Sequence, residues 1–593
     1  MPPEGMDDIL KQYTSFPGPD EASDDNAIRN VLDLRIEKLE QAIRVLKGHR
    51  QSLAPIFRLP DEILAKIITS YQALFEPISS TPFPAETGQV DPTQCEWIRI
   101  TFVCRRLRYI ALNECPRIWA DILMHPRWAS KFLERSKAVP IHLRIESAAP
   151  RTLPLNEVPS LASIIEHHAH RAKDLLLRVV FSDTLKELLH KLPPSAPHLE
   201  YLSIHHTRTT SFSPPSDILW DTSAPNLRRL KLKGFMFPWT ASIFHPSLTS
   251  LSIGDIPEGR WLALNSAQVM LDALACMNGL EFLALDVTPV TNGTLSSLNS
   301  HMTVHLTSLK ALHLYGPGED CARLLRFLSL PTLTVFRAAC RSDSLRSLLD
   351  WVANSFSGGR HHQSPGMRRL RFRRTSDHFS ETFHFEGWTG APGATLDSTS
   401  LTIDDDDDDN SQLNISFTID RHINPPTICA FMECLRLDDV VHLDIALATE
   451  GPQQWMRHVG QMKQFEELHI ESAWDLEYFL DLWITLNSPV PFHIPLARGE
   501  ERLRTSHYAD SFPRLNTLAL RKFDGRYFSG GAAGDGEGEL FGKFMHALVQ
   551  RARISGEKLR ELRIVDSFIL EGMVDKFRNV VGTVLLDQVE RQW

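Results

Sequence analysis

PNLRRLKL, residues 225–232, decides how most of this chain folds. Leu230 and Leu232 alternate with Arg229 and Lys231, a period of two that predicts a strand with leucine on one face and charge on the other. The pattern x-Leu-x-x-Leu-x-Leu returns in PHLEYLSI (197–204), PSLTSLSI (246–253), GLEFLAL (279–285), SLKALHL (308–314) and, with more substitution, PTLTVFRA (331–338). Weaker or later copies are MRRLRF (367–372), VVHLDI (440–445), FEELHI (465–470), PRLNTLAL (513–520) and KLRELRI (558–564). The leading leucines Leu199, Leu227, Leu248, Leu280, Leu309 and Leu333 are spaced 28, 21, 32, 29 and 24 apart, so the repeat is uneven. One such strand cannot bury its leucine face alone, whereas copies stacked side by side build a parallel sheet with a continuous core.

Parallel strands need a crossover between them. SLASIIEHHAHRAKDLLLRVV (160–180) and AQVMLDALACMN (267–278) have the amphipathic character of helices that would cover one side of the sheet. The array resembles leucine-rich repeats. The asparagine that usually closes their consensus is mostly missing, which implies an irregular solenoid. An α/β domain that simply has leucine-rich strands is the alternative. Two segments break the array: 376–412, poor in apolar residues and including the acidic run Asp404–Asp409, and the glycine-rich 528–540. Both are expected to be insertion loops. The acidic run lacks the spaced ligands, central glycine and terminal glutamate of an EF-hand, and 528–540 lacks the Gly-Lys-Ser/Thr of a phosphate loop.

Toward the amino terminus, residues 1–25 are too poor in apolar side chains to offset ordering entropy and are expected to be disordered. Acidic residues stand there where a secretory signal needs a basic start, so no secretion is expected. Over residues 26–50, Leu32, Ile36, Leu39, Ile43 and Leu46 line one face of a predicted helix. Written as heptads, the isoleucines fall at a and the leucines at d, the choice that suits parallel two-stranded coils. This coiled-coil-like helix either docks on the domain that follows or joins a second copy as a homodimer.

Residues 51–124 read as a small all-α module. In LPDEIL (59–64) a proline precedes two acids and then Ile63, Leu64, Ile67 and Ile68 at helical spacing, so a helix starts at Pro60 or Asp61. A polar stretch at about 76–96 intervenes. A second helix then carries Phe102, Val103, Leu107 and Ile110, and CPRIW (115–119) closes the module. LPDEIL, VCRRLRYIA (103–111) and CPRIW, in this order, resemble the F-box, in the form that many fungal proteins place just after a short coiled-coil helix. The resemblance implies docking on a Skp1-like adaptor and, through it, a cullin-based (SCF) ubiquitin ligase. It assigns Leu59, Pro60, Ile63, Leu64, Ile67, Val103, Cys104, Leu107, Ile110, Ala111, Pro116 and Trp119 to the adaptor contact or the module core. Leu107 stands where the family commonly has tryptophan, a smaller apolar group that implies a looser core.

The full 593 residues carry 63 basic and 73 acidic side chains and a net charge of −10, which gives nucleic acid or an anionic membrane no electrostatic reward. No apolar run is long enough for a membrane span. The 8 cysteines are too sparse for a disulfide scaffold and include no CxxC zinc pair, which fits reduced thiols in the cytoplasm or nucleus. His167, His168 and His170, His205 and His206, and His361 and His362 cluster in sequence. They match no HExxH or similar signature and are expected to face solvent; no metal or cofactor is expected. No catalytic motif occurs, so the chain is read as a non-enzyme. Strand positions between the leucines would form a client face, with Tyr201, Arg228, Arg229, Phe282 and Lys310 as candidates. Arg368, Arg369, Arg371, Arg373 and Arg374 form a basic stripe that either binds an acidic peptide or phosphate or is the wet face of a strand.

The expected fold is therefore α/β: an N-terminal helix and F-box module, followed over 125–593 by an irregular leucine-rich-repeat solenoid with a parallel sheet. The expected role is substrate recognition for a ubiquitin ligase, presenting an unknown protein client. The alternative is a non-catalytic interaction scaffold that engages no ligase.

Overall fold

The computed structural model of the chain describes residues 25–75, 92–122, 128–147, 158–180, 182–206, 223–234, 237–255, 267–287, 303–341, 346–356, 368–376, 380–388, 413–420, 439–446, 462, 464–471, 473–486, 514–521, 539–565, 567, 569 and 571–586. It is a mixed α/β protein in which mostly parallel strands alternate with helices. The chain divides into two compact units, residues 1–201 and 202–593.

The first unit opens with α1 (Asp25–Ser52). Its seam is open to solvent: Ile36 is 53 % and Leu46 61 % exposed, and only Leu32 and Leu39 are half-buried. Docking of this helix on the following domain, one of the two expectations, is thus not seen among the described residues. A 3-10 turn (Pro55–Arg58) leads to α2 (Asp61–Gln72), which starts directly after Pro60 with Asp61 and Glu62 in its first turn, where acids suit the positive end of the helix dipole. Short α3 (Ile100–Val103) and α4 (Arg105–Asn113) are separated at Cys104, whose extended backbone ends one helix while its sulfur accepts the Leu107 N–H at 3.4 Å and caps the next. A 3-10 turn, Pro116–Trp119, closes the module.

Strands β1 (Asp121–Ile122), β2 (Ile141–Ser147) and β3 (Ala172–Val179) then pair in parallel, interleaved with α5 (Ala129–Arg135), α6 (Val158–His168) and α7 (Ser182–His190). Only the first half of the stretch 160–180 is helical; its second half is β3. Leu175, Leu176, Leu177 and Val179 are all buried. A short apolar run covered on both faces has no period that separates strand from helix.

The second unit repeats one design. Strands β4 (Tyr201–His206, which begins at the last residue of the first unit), β5 (Arg229–Lys233), β6 (Ser250–Gly254), β7 (Phe282–Asp286), β9 (Ala311–Gly316) and β11 (Val335–Arg341) fall on the quoted motifs, and the short β8 (Val304–His305) and β10 (Leu328–Ser329) pair with each other. Register sets Leu230, Leu251, Leu283, Leu312 and Phe336 side by side, and below them Leu232, Ile253, Leu285, Leu314 and Ala338. All are buried. Each such leucine contributes about 1.5–3 kcal/mol, and only the stack gives it neighbours on both sides. Gly234 ends β5 at φ +81°, and a Cβ there would stand 2.0 Å from the His206 carbonyl oxygen, so no other residue fits. Helices α8 (Ala267–Cys276), α9 (Gly318–Leu325) and α10 (Arg346–Phe356) lie between strands.

The region expected to be an insertion loop at 376–412 holds a strand instead. β12 (Arg369–Ser376), β13 (Ser380–Trp388) and β14 (Leu413–Asp420) form an antiparallel trio set into the parallel ladder between β11 and β15 (His442–Ala446). Phe383 and Phe385 are buried and alternate with Thr382 and His384, a two-residue period that the polar composition masked. The acidic run 404–409 and residues 528–538 lie outside the described residues. Glu539 and Leu540, expected to belong to a loop, already begin α12.

From β15 the ladder continues through β16 (Glu467–Ile470), β17 (Thr517–Arg521), β18 (Leu559–Val565) and β19 (Val581–Leu586). One side is covered by α11 (Ala473–Leu486), α12 (Glu539–Ser555) and α13 (Glu571–Val580). Phe577 packs on Phe541 and Phe544 at 5.3 and 5.1 Å, and Trp483 on Phe479 at 5.2 Å.

Candidate functional site

The amino-terminal module sorts its apolar residues into two sets. Leu64, Ile68, Leu107, Ile110, Ala111 and Trp119 are buried. Ile63 and Ile67, one turn apart on α2, are each 39 % exposed; Val103 and Phe102 reach 60 and 69 %. Pro60 is exposed, and Leu59, Cys104 and Pro116 are half-buried. Of the residues singled out from sequence, Leu64, Leu107, Ile110, Ala111 and Trp119 therefore make the core, and Pro60, Ile63, Ile67 and Val103 are left uncovered.

Two residues were missed by the sequence reading. Trp97 sits at the edge of the stretch expected to be a polar insertion, yet it is buried against Trp119 at 5.0 Å, with Phe132 of α5 completing the cluster 5.1 Å from Trp119. Trp119 also donates its indole N–H to the Ala111 carbonyl at 2.8 Å, and Arg135 stacks over its ring at 4.4 Å. The cluster carries the packing past residue 124, where the module was expected to end.

Arg106 is the second. Its guanidinium reaches back from α4 to the start of α2, bonding Asp61 at 2.6 Å, the Leu59 carbonyl at 2.8 Å and the Phe57 carbonyl. The fork thereby holds the Leu-Pro entry to α2 in place, using the planar donor geometry that lysine lacks.

In the second unit, the strand residues that alternate with the buried leucines form the opposite face of the sheet. Arg229 and Phe282 are on one register row there; Arg228 and Lys310 lie at the strand entries, with Lys310 paired to Glu281 at 2.9 Å and Phe282 against His313 at 4.8 Å. Arg228, Arg229 and Lys310 are exposed and Phe282 half-buried; Tyr201, half-buried, closes the first unit.

Within the basic stripe of β12, Arg368 is exposed, whereas Arg369 and Arg371 are half-buried and engaged inside the sheet. Arg371 bonds Glu386 on β13 at 3.2 Å and Asp444 on β15 at 3.1 Å, its side chain only 13 % exposed. Arg369 stacks on Trp388 at 4.8 Å. Register then carries two polar rows across the sheet: Glu386, Arg371, Asp444, His469, Ala519, Arg563 and, beside it, Trp388, Arg369, His442, Glu467, Thr517, Glu561. Glu467 accepts from His442 Nδ1 and His469 Nε2, both at 3.0 Å, and from Arg563 at 2.9 Å.

Burial sets the chemistry of these rows. It drives His442 down to about 4 against the pull of Glu467, so the ring is neutral at pH 7. Burial also pushes against ionising Asp444, but His469, Arg371 and Arg521 more than offset it and bring the carboxyl to about 2. Glu467 is lowered in the same way: burial opposes its ionisation, but its hydrogen bonds to His442 and His469 and their charge interactions together outweigh that cost. None of this was legible from VVHLDI and FEELHI taken singly, because the histidines meet only when the strands pair.

Of the histidines noted from sequence, His167 is exposed and bonds the Ser163 carbonyl at 2.7 Å, and His170 is exposed. His206, expected to face solvent, is buried, and His361 and His362 lie outside the described residues. Among the described residues no helix is long and apolar enough to cross a membrane. No protein-family model and no curated protein matches the chain.

Proposed function

We propose that the amino-terminal module is an F-box that docks on a Skp1-like adaptor and so joins a cullin ligase. The second unit, read as an irregular leucine-rich-repeat solenoid, presents a protein client on the sheet face opposite its buried leucines. The chain then catalyses nothing itself: it raises the effective concentration of client lysines near activated ubiquitin, in the cytoplasm or nucleus.

The division within α2 carries this reading. Leu64 and Ile68 are fully buried, while Ile63 and Ile67 stay uncovered one turn apart, next to an exposed Pro60. A module this small gains nothing by keeping isoleucines in water, and an apolar strip with a firmly packed back is what a partner's groove can cover.

The test is co-purification of a Skp1-like adaptor with the full chain. Ile63→Ala combined with Ile67→Ala is expected to abolish capture at unchanged fold, since interface anchors typically contribute about 2 kcal/mol or more each; Leu59→Ala with Ile63→Ala is expected to do the same. Capture that persists in the folded variants rejects the contact. A wild-type chain that ignores the adaptor is a scaffold outside the ligase.

A further inference from the structure

We propose that His442, Glu467 and His469 form a binding site for a zinc-class divalent cation on the sheet face opposite the buried leucines of the second unit. Strands β15 and β16 pair in the register His442↔Glu467 and Asp444↔His469, so all of these side chains leave the sheet on one face. One ligand atom from each of His442, Glu467 and His469 lies within 4.8 Å of the other two. Glu467 stands between the rings, with Oε2 3.0 Å from His442 Nδ1 and Oε1 3.0 Å from His469 Nε2. Two imidazole nitrogens and a carboxylate oxygen are the donor set of three-ligand zinc sites. Ligand atoms around a tetrahedral zinc stand roughly 3.4 Å apart, given bonds of about 2.1 Å, so small side-chain rotations suffice. The paired backbones have already set the spacing.

The second observation is a set of buried atoms without partners: His442 Nε2, His469 Nδ1 and Asp444 Oδ1. Without a cation, the neutral His442 ring places its N–H on Glu467, which leaves a bare lone pair on its other nitrogen. When a cation takes His469 Nε2, the ring proton moves to Nδ1. Asp444, the register partner of His469, then offers the open acceptor that a ligating histidine normally uses. Arg563 already occupies Glu467 Oε1 at 2.9 Å, which leaves Oε2 to the metal. Glu386, Asp444, Glu467 and Glu561 share the two rows with Arg369, Arg371 and Arg563, so four carboxylates offset part of the positive charge that a cation adds there.

Full-length protein stripped with a chelator and titrated with zinc in a calorimeter is expected to bind one equivalent and to unfold at a higher temperature with it. His442→Asn with His469→Asn is expected to remove that equivalent, and Asp444→Asn to weaken it by about tenfold through the orienting contact. No binding by the wild type, or the same stoichiometry in the double variant, overturns the site. If the double variant does not fold, cobalt(II) added to the wild type decides: an intense visible band of a four-coordinate ion supports the site, and the pale spectrum of the hydrated ion overturns it.

Discussion

Arg106 holds Asp61 at 2.6 Å, joining the start of α2 to α4 across the stretch of chain that separates the two halves of the module. Both side chains are well exposed, at 38 and 49 %, so the ion pair by itself is worth little in water. The same guanidinium also takes the Leu59 and Phe57 carbonyls, and that is where its leverage lies. It ties down the backbone on either side of Arg58, just ahead of Pro60.

Arg106→Ala is expected to lower stability by about 1–2 kcal/mol, from charged hydrogen bonds at a partly exposed site, and to weaken adaptor capture beyond what that loss accounts for. Arg106→Lys restores the charge without the fork and is expected to recover only part of the capture. Urea unfolding and a quantitative pull-down, run on the same preparations, check both; capture equal to wild type in Arg106→Ala refutes the positioning role.

Leu230 and Arg229 are neighbours in β5 with opposite fates, Leu230 buried in the stack and Arg229 exposed. Leu230→Ala is expected to destabilise the second unit by about 2–5 kcal/mol, whereas Arg229→Ala should stay within about 0.5 kcal/mol. An unchanged urea midpoint for Leu230→Ala would falsify the register.

Two histidines are expected to respond to pH in opposite senses. His142 is raised by its hydrogen bond to Asp174, 2.7 Å away, against the opposing effect of burial, with Asp121 adding to the rise. A folded value above the unfolded one, roughly 6.5, means that its contribution is complete below that pH and is lost as pH rises through the folded value. His442 is lowered to about 4. Between about 4 and 6.5 its unfolded form binds the proton that the folded form refuses, so stability is lost as pH falls through that window. Paired urea titrations near about pH 5 and pH 8 are therefore expected to find His142→Asn most costly at the lower pH and His442→Gln least costly there. The reverse ranking contradicts the assignments.

Along α1 the exposed Ile36, Ile43 and Leu46 need a cover, and in a parallel pair Arg35 of one helix would face Glu40 of the other. The full chain is expected to sediment as a dimer, and Ile36→Lys with Ile43→Lys as a monomer. A wild-type protein that is monomeric at micromolar concentration rules this pairing out.

Much of this architecture was legible in the letters. The x-Leu-x-x-Leu-x-Leu copies predicted β4 to β7, β9, β11, β12 and β15 to β18, because a period of two is a local property of a chain with one buried face. The proline and acids ahead of Ile63 placed α2 to within a residue. Composition misled where the pattern was short or polar. β13 was hidden among polar residues, β3 looked helical, and Trp97, just past a hydrophilic stretch, was not singled out.

What the amino-acid sequence determined alone is which residues alternate, where helices begin, and which side chains must be hidden somewhere. Only the tertiary structure decided which of them share a neighbourhood. His442 and Glu467 are 25 positions apart, and Arg371 and Asp444 are 73 apart. Strand register, set by the backbone hydrogen bonds between β12, β15 and β16, brings them within bonding distance. The same holds for Arg106 and Asp61, 45 positions apart, which meet because α2 and α4 bury their apolar faces on each other. Local periodicity is encoded in neighbours along the chain, whereas a site depends on contacts between distant segments that only the packed core creates.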